Sequence, residues 1–334
     1  MNLLNNRKNK NQIVIKQKAK NSFFNELKKN YCLFIMTIPG LTLFFLLCYL
    51  PISGIFIAFV DYKNYVNNFF LNIIKSKWVG LNNFTIFLND RNFIYALRNT
   101  ISYQLIFIFA GTLMSLLIAL LLNEIKNRYV ARFYQSCMLL PYFLSWTVFS
   151  YVVFSFLSVQ NGVINRMLLE PLGAGTVSWY MESKYWPYIL FIVNTLKYAG
   201  YGSIIYLAAI VGIDPEYYEA AIIDGASRWQ QVTKVTIPLI SNVIIIMLVI
   251  NLGHILSADF GLFYNIPLQS EFILEKTNVI DMYIYRVFQG RSGGTTNTLV
   301  ISTAAGLFKS LIGFITVMVT NLVVKKIDSE KSLF

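Results

Sequence analysis

Few residues in this 334-residue chain have the types and spacing that chemistry requires. The single histidine, His254, has no Cys, Asp or Glu at ligand spacing, so neither a metal site nor a Ser-His-Asp relay can be built around it. Cys32, Cys48 and Cys137 lie in or beside apolar runs without zinc or disulfide spacing. Gly306-Leu307-Phe308-Lys309-Ser310 superficially resembles a phosphate loop, yet no glycine directly precedes the lysine and no strand precedes Gly306. No two carboxylates are placed by the sequence in a common pocket. Catalysis by this chain is therefore not expected, nor is a bound metal or a cofactor of its own.

What stands out instead is a polar island between strongly apolar runs, Asp214 to Pro238. Asp214 is suited to cap a helix beginning at Pro215, and Glu216 and Glu219 set negative charge at the positive end of its dipole. Gly225 is a natural stop. Ala220, Ala221, Gly225 and Ala226 keep one side low in bulk, so another protein surface can approach the backbone. The stretch 214–226 is thus predicted to be a short docking helix, with Glu219 and Asp224 on its surface.

The elements that carry it are apolar. With 56% hydrophobic and 13% charged residues, the chain belongs to the membrane class. Its net charge of +12 forms no stripe interleaved with exposed aromatics on a soluble fold, so lipid head groups explain it better than nucleic acid. Hydropathy predicts an all-α polytopic protein with six spans, at about 33–60, 100–122, 133–157, 186–211, 237–256 and 299–324. A basic arm, 1–32, precedes the first, and a charged tail, 327–334, follows the last. The distribution of Lys and Arg favours both termini in the cytoplasm, which puts the 214–226 helix there too. External segments are expected at 61–99, 158–185 and 257–298, the last with a lateral helix around 279–288.

The island's pattern resembles the cytoplasmic signature of membrane subunits of binding-protein-dependent ABC importers, carried here by Glu219, Ala220, Ala221, Gly225, Val235, Ile237 and Pro238. Val235 and Ile237 depart from the family's Ile and Leu but stay aliphatic. Similar stretches for oligosaccharide permeases run through Tyr49 to Ile55, Trp78 to Phe84, Lys197 with Gly202 to Ala209, Phe263 to Pro267, Ile280 to Arg286 and Ala304 to Ser310. The resemblance spans about Ile38 to Lys326. It implies a type I ABC importer permease fold in a bacterial inner membrane, and the 214–226 element as a coupling helix. It also implies a second homologous permease, two copies of an ATPase that bind ATP and Mg, and an extracytoplasmic solute-binding protein. The coupling residues so implied are Glu219, Ala220, Ala221, Asp224, Gly225, Ala226 and Pro238.

For the substrate path the expected residues are Asn194, Lys197, Tyr198 and Asn251; the amides of Asn194 and Asn251 suit sugar hydroxyls. Lys197 admits a second role, an ion pair or bonds to helix carbonyls, because an ionisable group within a span must face protein or water. His254 reads as a packing residue, and Trp146 and Trp186 as interface aromatics. Among sugars, the resemblance implies as one subclass the fragments of uronate-containing polysaccharides, alginate- or glycosaminoglycan-derived. A stand-alone secondary transporter or channel is the alternative reading; it would more often show inverted repeats and further intramembrane charges.

Overall fold

The computed structural model describes residues 29–63, 65–291 and 297–327. The basic arm up to residue 28 and the tail beyond residue 327 lie outside the described residues. The chain divides into two compact units between Phe56 and Ile57.

The first unit holds helix α1 (Tyr31–Phe44), which contains Pro39 and runs into a π-helical turn, Phe45–Tyr49, and a 3-10 stretch from Leu50. None of its residues from Tyr31 to Tyr49 is buried. Apolar side chains surround it, as expected for a helix whose neighbour is lipid or another membrane surface.

In the second unit, Val60–Asp61 (β1) pairs antiparallel with Lys77–Trp78 (β2), enclosing α2 (Phe69–Lys75). Then follow α3 (Asn82–Leu88), α4 (Arg91–Asn123), α5 (Arg128–Phe143), α6 (Trp146–Leu157), α7 (Trp186–Val211), α8 (Pro215–Ile223) and α9 (Arg228–Gln231). After a π turn, Val232–Thr236, come α10 (Ser241–Gly253), α11 (Phe260–Asn265), α12 (Ile280–Phe288) and α13 (Thr298–Ile327). Polar caps set the starts: Asn68, Asp90, Asn127, Ser145, Asp214, Ser227 and Asp259 each accept from backbone N–H groups of the first turn. The cap at Asp90 begins the second long helix nine residues before the expected span at 100, inside the expected external loop.

Three helices are individually long and apolar enough to cross a membrane, Tyr31–Phe59, Arg91–Asn123 and Thr298–Lys326. Three bent pairs meet the same measure together: α5 with α6 at 100°, Ser183–Val211 with α8 at 70°, and Arg228–Leu239 with α10 at 60°. Counting each pair as one gives six spans among the described residues. The expected straight segment 133–157 is thus two helices, broken at Leu144 and Ser145 where Ser145 caps the second.

Helix α4 packs along α7, and polar side chains at its start fasten the lateral segment. Asn99 Nδ2 donates to Glu275 O at 2.8 Å and Asn278 O at 3.0 Å, Tyr103 OH donates to Lys276 O at 2.7 Å, and Ile280 N donates to Thr100 Oγ1 at 2.9 Å. Here polar groups join elements that apolar contacts alone would not orient. Around them lies a core of Tyr103, Phe107, Phe149, Trp186, Leu190, Phe263 and Met282. A second cluster, at the α8 end, contains Ala119, Tyr206, Ile210 and Ile240. Lys309, within α13, is paired with Asp281 of α12. The pair offsets a penalty of about 3 kcal/mol for a lone charge at a helix centre in lipid.

The segment between α6 and α7 folds around Asn165, which is 1% exposed. Its Nδ2 donates to Val177 O at 3.0 Å and Val159 O at 3.3 Å, and its Oδ1 accepts from Val177 N at 3.2 Å and Trp179 Nε1 at 3.1 Å. Asn165→Ala would orphan these groups, and we expect it to loosen the segment by about 3 kcal/mol. Faster cleavage of residues 158–185 by added protease, against an unchanged rate elsewhere, is the measurement.

Candidate functional site

Two sites emerge at opposite ends of α10. The first is a cavity of about 550 Å³ bounded by α4, α7, α10 and the joint between α10 and α11. Its lining follows helical spacing: Gln104, Ile108, Thr112 and Ser115 on α4, Asn194, Tyr198, Tyr201 and Ile205 on α7, Met247 and Asn251 on α10. Thr195 also lines it, with a buried hydroxyl that has no hydrogen-bond partner. Tyr201 stacks on Tyr142 with ring centroids 4.1 Å apart, leaving an aromatic surface at the cavity edge. Three of the four residues expected in a substrate path, Asn194, Tyr198 and Asn251, are brought together here.

Lys197 is not. It is 4% exposed, and its ammonium donates to the carbonyls of Pro141 at 3.2 Å, Tyr142 at 3.3 Å and Leu144 at 2.5 Å. Those carbonyls end α5, where the break leaves them without intrahelical partners. The same ammonium lies 4.7 Å from the centre of the Trp146 ring, a cation–π contact. Close approach makes this possible: a Cβ on Gly200 would run into the Met138 carbonyl, so α7 and α5 meet backbone to backbone. Of the two roles open to Lys197, the geometry gives it the bonds to helix carbonyls.

The joint supplies residues that sequence reasoning passed over. Asp259 lines the cavity, and its Oδ1 accepts from Gly261 N at 2.8 Å and Leu262 N at 3.3 Å. Its Oδ2 accepts from Trp146 Nε1 at 3.0 Å and from the Tyr198 hydroxyl. The legible signal was an N-cap: an Asp directly before the run 260–265. His254 also lines the cavity, with Nδ1 2.9 Å from Ile250 O on the preceding turn, and Gln104 donates to Ser257 O at 2.5 Å.

At the other end of α10 lies the hairpin of α8 and α9. The Asp214 carboxylate accepts from Glu216 N at 3.1 Å. At the C-terminus, Ala226 N bonds Ala221 O at 2.9 Å and Gly225 N bonds Ile222 O at 3.0 Å, the paired closure of a Schellman motif, with Gly225 at φ +75. Ser227 and Gln230 then form a capping box that starts α9. Glu219, Ala220, Asp224, Gly225 and Pro238 are exposed, and Ala221 and Ala226 half-buried. Large apolar side chains flank them: Ile223 is 86% exposed and Trp229 74%.

A model of the family of binding-protein-dependent transport system inner membrane components matches residues 108–329. The chain belongs to that family. In Bacillus subtilis (strain 168) it is similar to protein LplB, 34% identical over 92% of this chain and 93% of that one. It is also similar to that organism's polygalacturonan/rhamnogalacturonan transport system permease protein YteP, 33% identical over 95% of both. Among solved structures it resembles a bacterial ABC transporter involved in import of the acidic polysaccharide alginate, with TM-score 0.80 and 32% identity, covering 91% of this chain and 99% of that one. The same likeness extends to the alginate transporter in complex with its alginate pentasaccharide-bound periplasmic protein, with TM-score 0.78 and 32% identity, covering 91% and 98%. The fold is that of a type I ABC importer permease, and this membrane family consists of transporter components rather than enzymes.

Proposed function

We propose that this chain is one of two permease subunits of an ATP-driven importer, and that its cavity forms part of the passage for an oligosaccharide cut from a uronate-containing polysaccharide. The observation that carries the proposal is the set of amide and hydroxyl side chains in a largely apolar cavity at one end of α10, with a surface-displayed hairpin at the other. Asn194 and Asn251 each offer donor and acceptor atoms, which suits vicinal hydroxyls, Gln104 offers its amide oxygen, and Tyr201 offers a ring face. The uronate class is supported by the relatives that handle polygalacturonan, rhamnogalacturonan and alginate. Lys197 does not support it, because its ammonium is already held by carbonyls. This cavity therefore reads hydroxyls, while charge is selected by the extracytoplasmic solute-binding protein.

In this reading Glu219, Ala220, Ala221, Asp224, Gly225, Ala226 and Pro238 seat on the ATPase, which binds ATP and Mg. The hairpin then faces the cytoplasm, as do both termini, in a bacterial inner membrane. Closure of the ATPase dimer displaces α8, and α7 and α10 carry the movement to the cavity as a two-state element.

The test is purification of the tagged chain from its native membrane. A second permease and an ATPase should coelute, and ATP hydrolysis should rise when the solute-binding protein loaded with uronate oligosaccharide is added. Transport by the chain alone, without an ATPase, would establish the secondary transporter or channel instead. Stimulation by neutral sugars alone would remove the uronate class.

A further inference from the structure

The joint between α10 and α11 forms one wall of the cavity, yet Ser257, Ala258 and Asp259 belong to no helix. Something outside the joint must fix its backbone. Ala258 N donates to Asp281 Oδ2 at 3.0 Å, and Asp281 Oδ1 takes the ammonium of Lys309. Asp281 thus works with both oxygens: one holds a cation of α13, the other holds the backbone next to Asp259. Both charged side chains are largely buried, at 19% and 21% exposure.

Beside the pair lies a gap of about 390 Å³, lined by Gly253, Gly306, Gly313 and Ser257 among others. Gly306 and Gly313 of α13 leave open space there, while Gly253 at the end of α10 lies close against Val317 of α13. The ion pair borders this gap, and polar contacts through Asp281 tie the joint to α12 and α13.

From this arrangement we infer that Asp281 and Lys309 are positioning residues: a latch that holds the cavity wall at Ala258 and Asp259 in register with the last span while α10 transmits motion from the hairpin. Neither residue lines the main cavity. They act through the 257–259 backbone, and Asp259 in turn orients Tyr198 and Trp146. The inference rests on the importer reading above.

The chemistry sets a discriminating test. In Asp281→Asn one of the two oxygens, each of which holds a different donor, becomes an NH2 group, so either Lys309 or Ala258 N–H faces a donor and that contact is lost. In Lys309→Met the carboxylate loses its cation. Combining the two removes both charges and frees the amide oxygen for Ala258 N–H. Complete complexes in proteoliposomes, with loaded solute-binding protein, allow ligand taken up per ATP hydrolysed to be measured. Each single variant should lower that ratio at least about fivefold with little change in ATP hydrolysis without ligand, and the double variant should regain most of it. An unchanged ratio in both single variants would overturn the latch. So would losses that follow complex abundance alone, or failure of all three variants to assemble, either of which would make the pair a folding contact. If the wild-type complex shows no ATP-dependent uptake, the importer reading fails instead, and that outcome is separable from a normal wild type with unaffected variants.

Discussion

Gly225→Asp is expected to abolish uptake while leaving the chain folded and in the membrane. At φ +75 any residue with a Cβ is strained, which costs about 1–2 kcal/mol for an L-residue in the left-handed region. A Cβ there meets nothing within 4 Å, so no further clash inside this chain is added. The folding penalty is therefore small. The effect on a partner is not: a carboxylate would project from the exposed turn of the hairpin, beside Asp224 and amid small residues that keep the surface low. Desolvating an unpaired carboxylate in a protein cleft costs several kcal/mol, enough to weaken docking of the ATPase by about a hundredfold or more. Copurification of the ATPase and uptake should fall together, with chain abundance nearly unchanged. Gly225→Asn, which tolerates positive φ and adds no charge, should retain far more of both. Equal, near-normal ATPase retention in the two variants would remove the coupling role from this turn.

Helix α8 was legible because its signals are local. Asp214 with Pro215 announces a start and Gly225 with Ala226 a stop, each set by backbone groups within a few residues, whereas the restart at Ser227 with Gln230 lies beyond the predicted 214–226 helix. The positions of α7 and α13 were equally legible, since uninterrupted apolar length is all that such a helix must declare. The break at Leu144 was not. Pro141 lies near it, but proline inside a membrane helix is compatible with a continuous span, and here the carbonyls at the 100° turn are held by a lysine 53 residues beyond Leu144. Asp259 escaped for a related reason. As an isolated acid in a long, moderately polar segment it reads as solvent-exposed, and only the approach of Tyr198 and Trp146 makes it part of a cavity wall. Apolar faces gave no help, because lipid and neighbouring helices demand the same side chains.

Lys197 offers the sharpest separation between architecture and recognition. In Lys197→Met the methionine would fill much of the volume but leave the carbonyls of Pro141, Tyr142 and Leu144 facing an apolar side chain. Charge-assisted bonds contribute roughly 1.5–3 kcal/mol each, and carbonyls orphaned in a buried site carry a desolvation penalty, so a net loss of about 3 kcal/mol or more is expected. The cation–π contact with Trp146 disappears as well, and Trp146 is one of the donors that hold Asp259. Lys197→Arg should recover little, because a planar fork needs more room than an ammonium, and α7 and α5 already touch through Gly200. The measurements are membrane abundance and the melting temperature of the detergent-purified complex, set against the oligosaccharide concentration that half-saturates uptake. A structural pin predicts lower abundance and melting temperature for Lys197→Met, with the surviving complexes saturating at the wild-type concentration. A ligand contact predicts the reverse: normal stability and a weakened response confined to anionic oligosaccharides. The geometry favours the pin, because the Lys197 ammonium that would greet a uronate carboxylate is not part of the cavity lining and is bonded to three carbonyls at the broken end of α5.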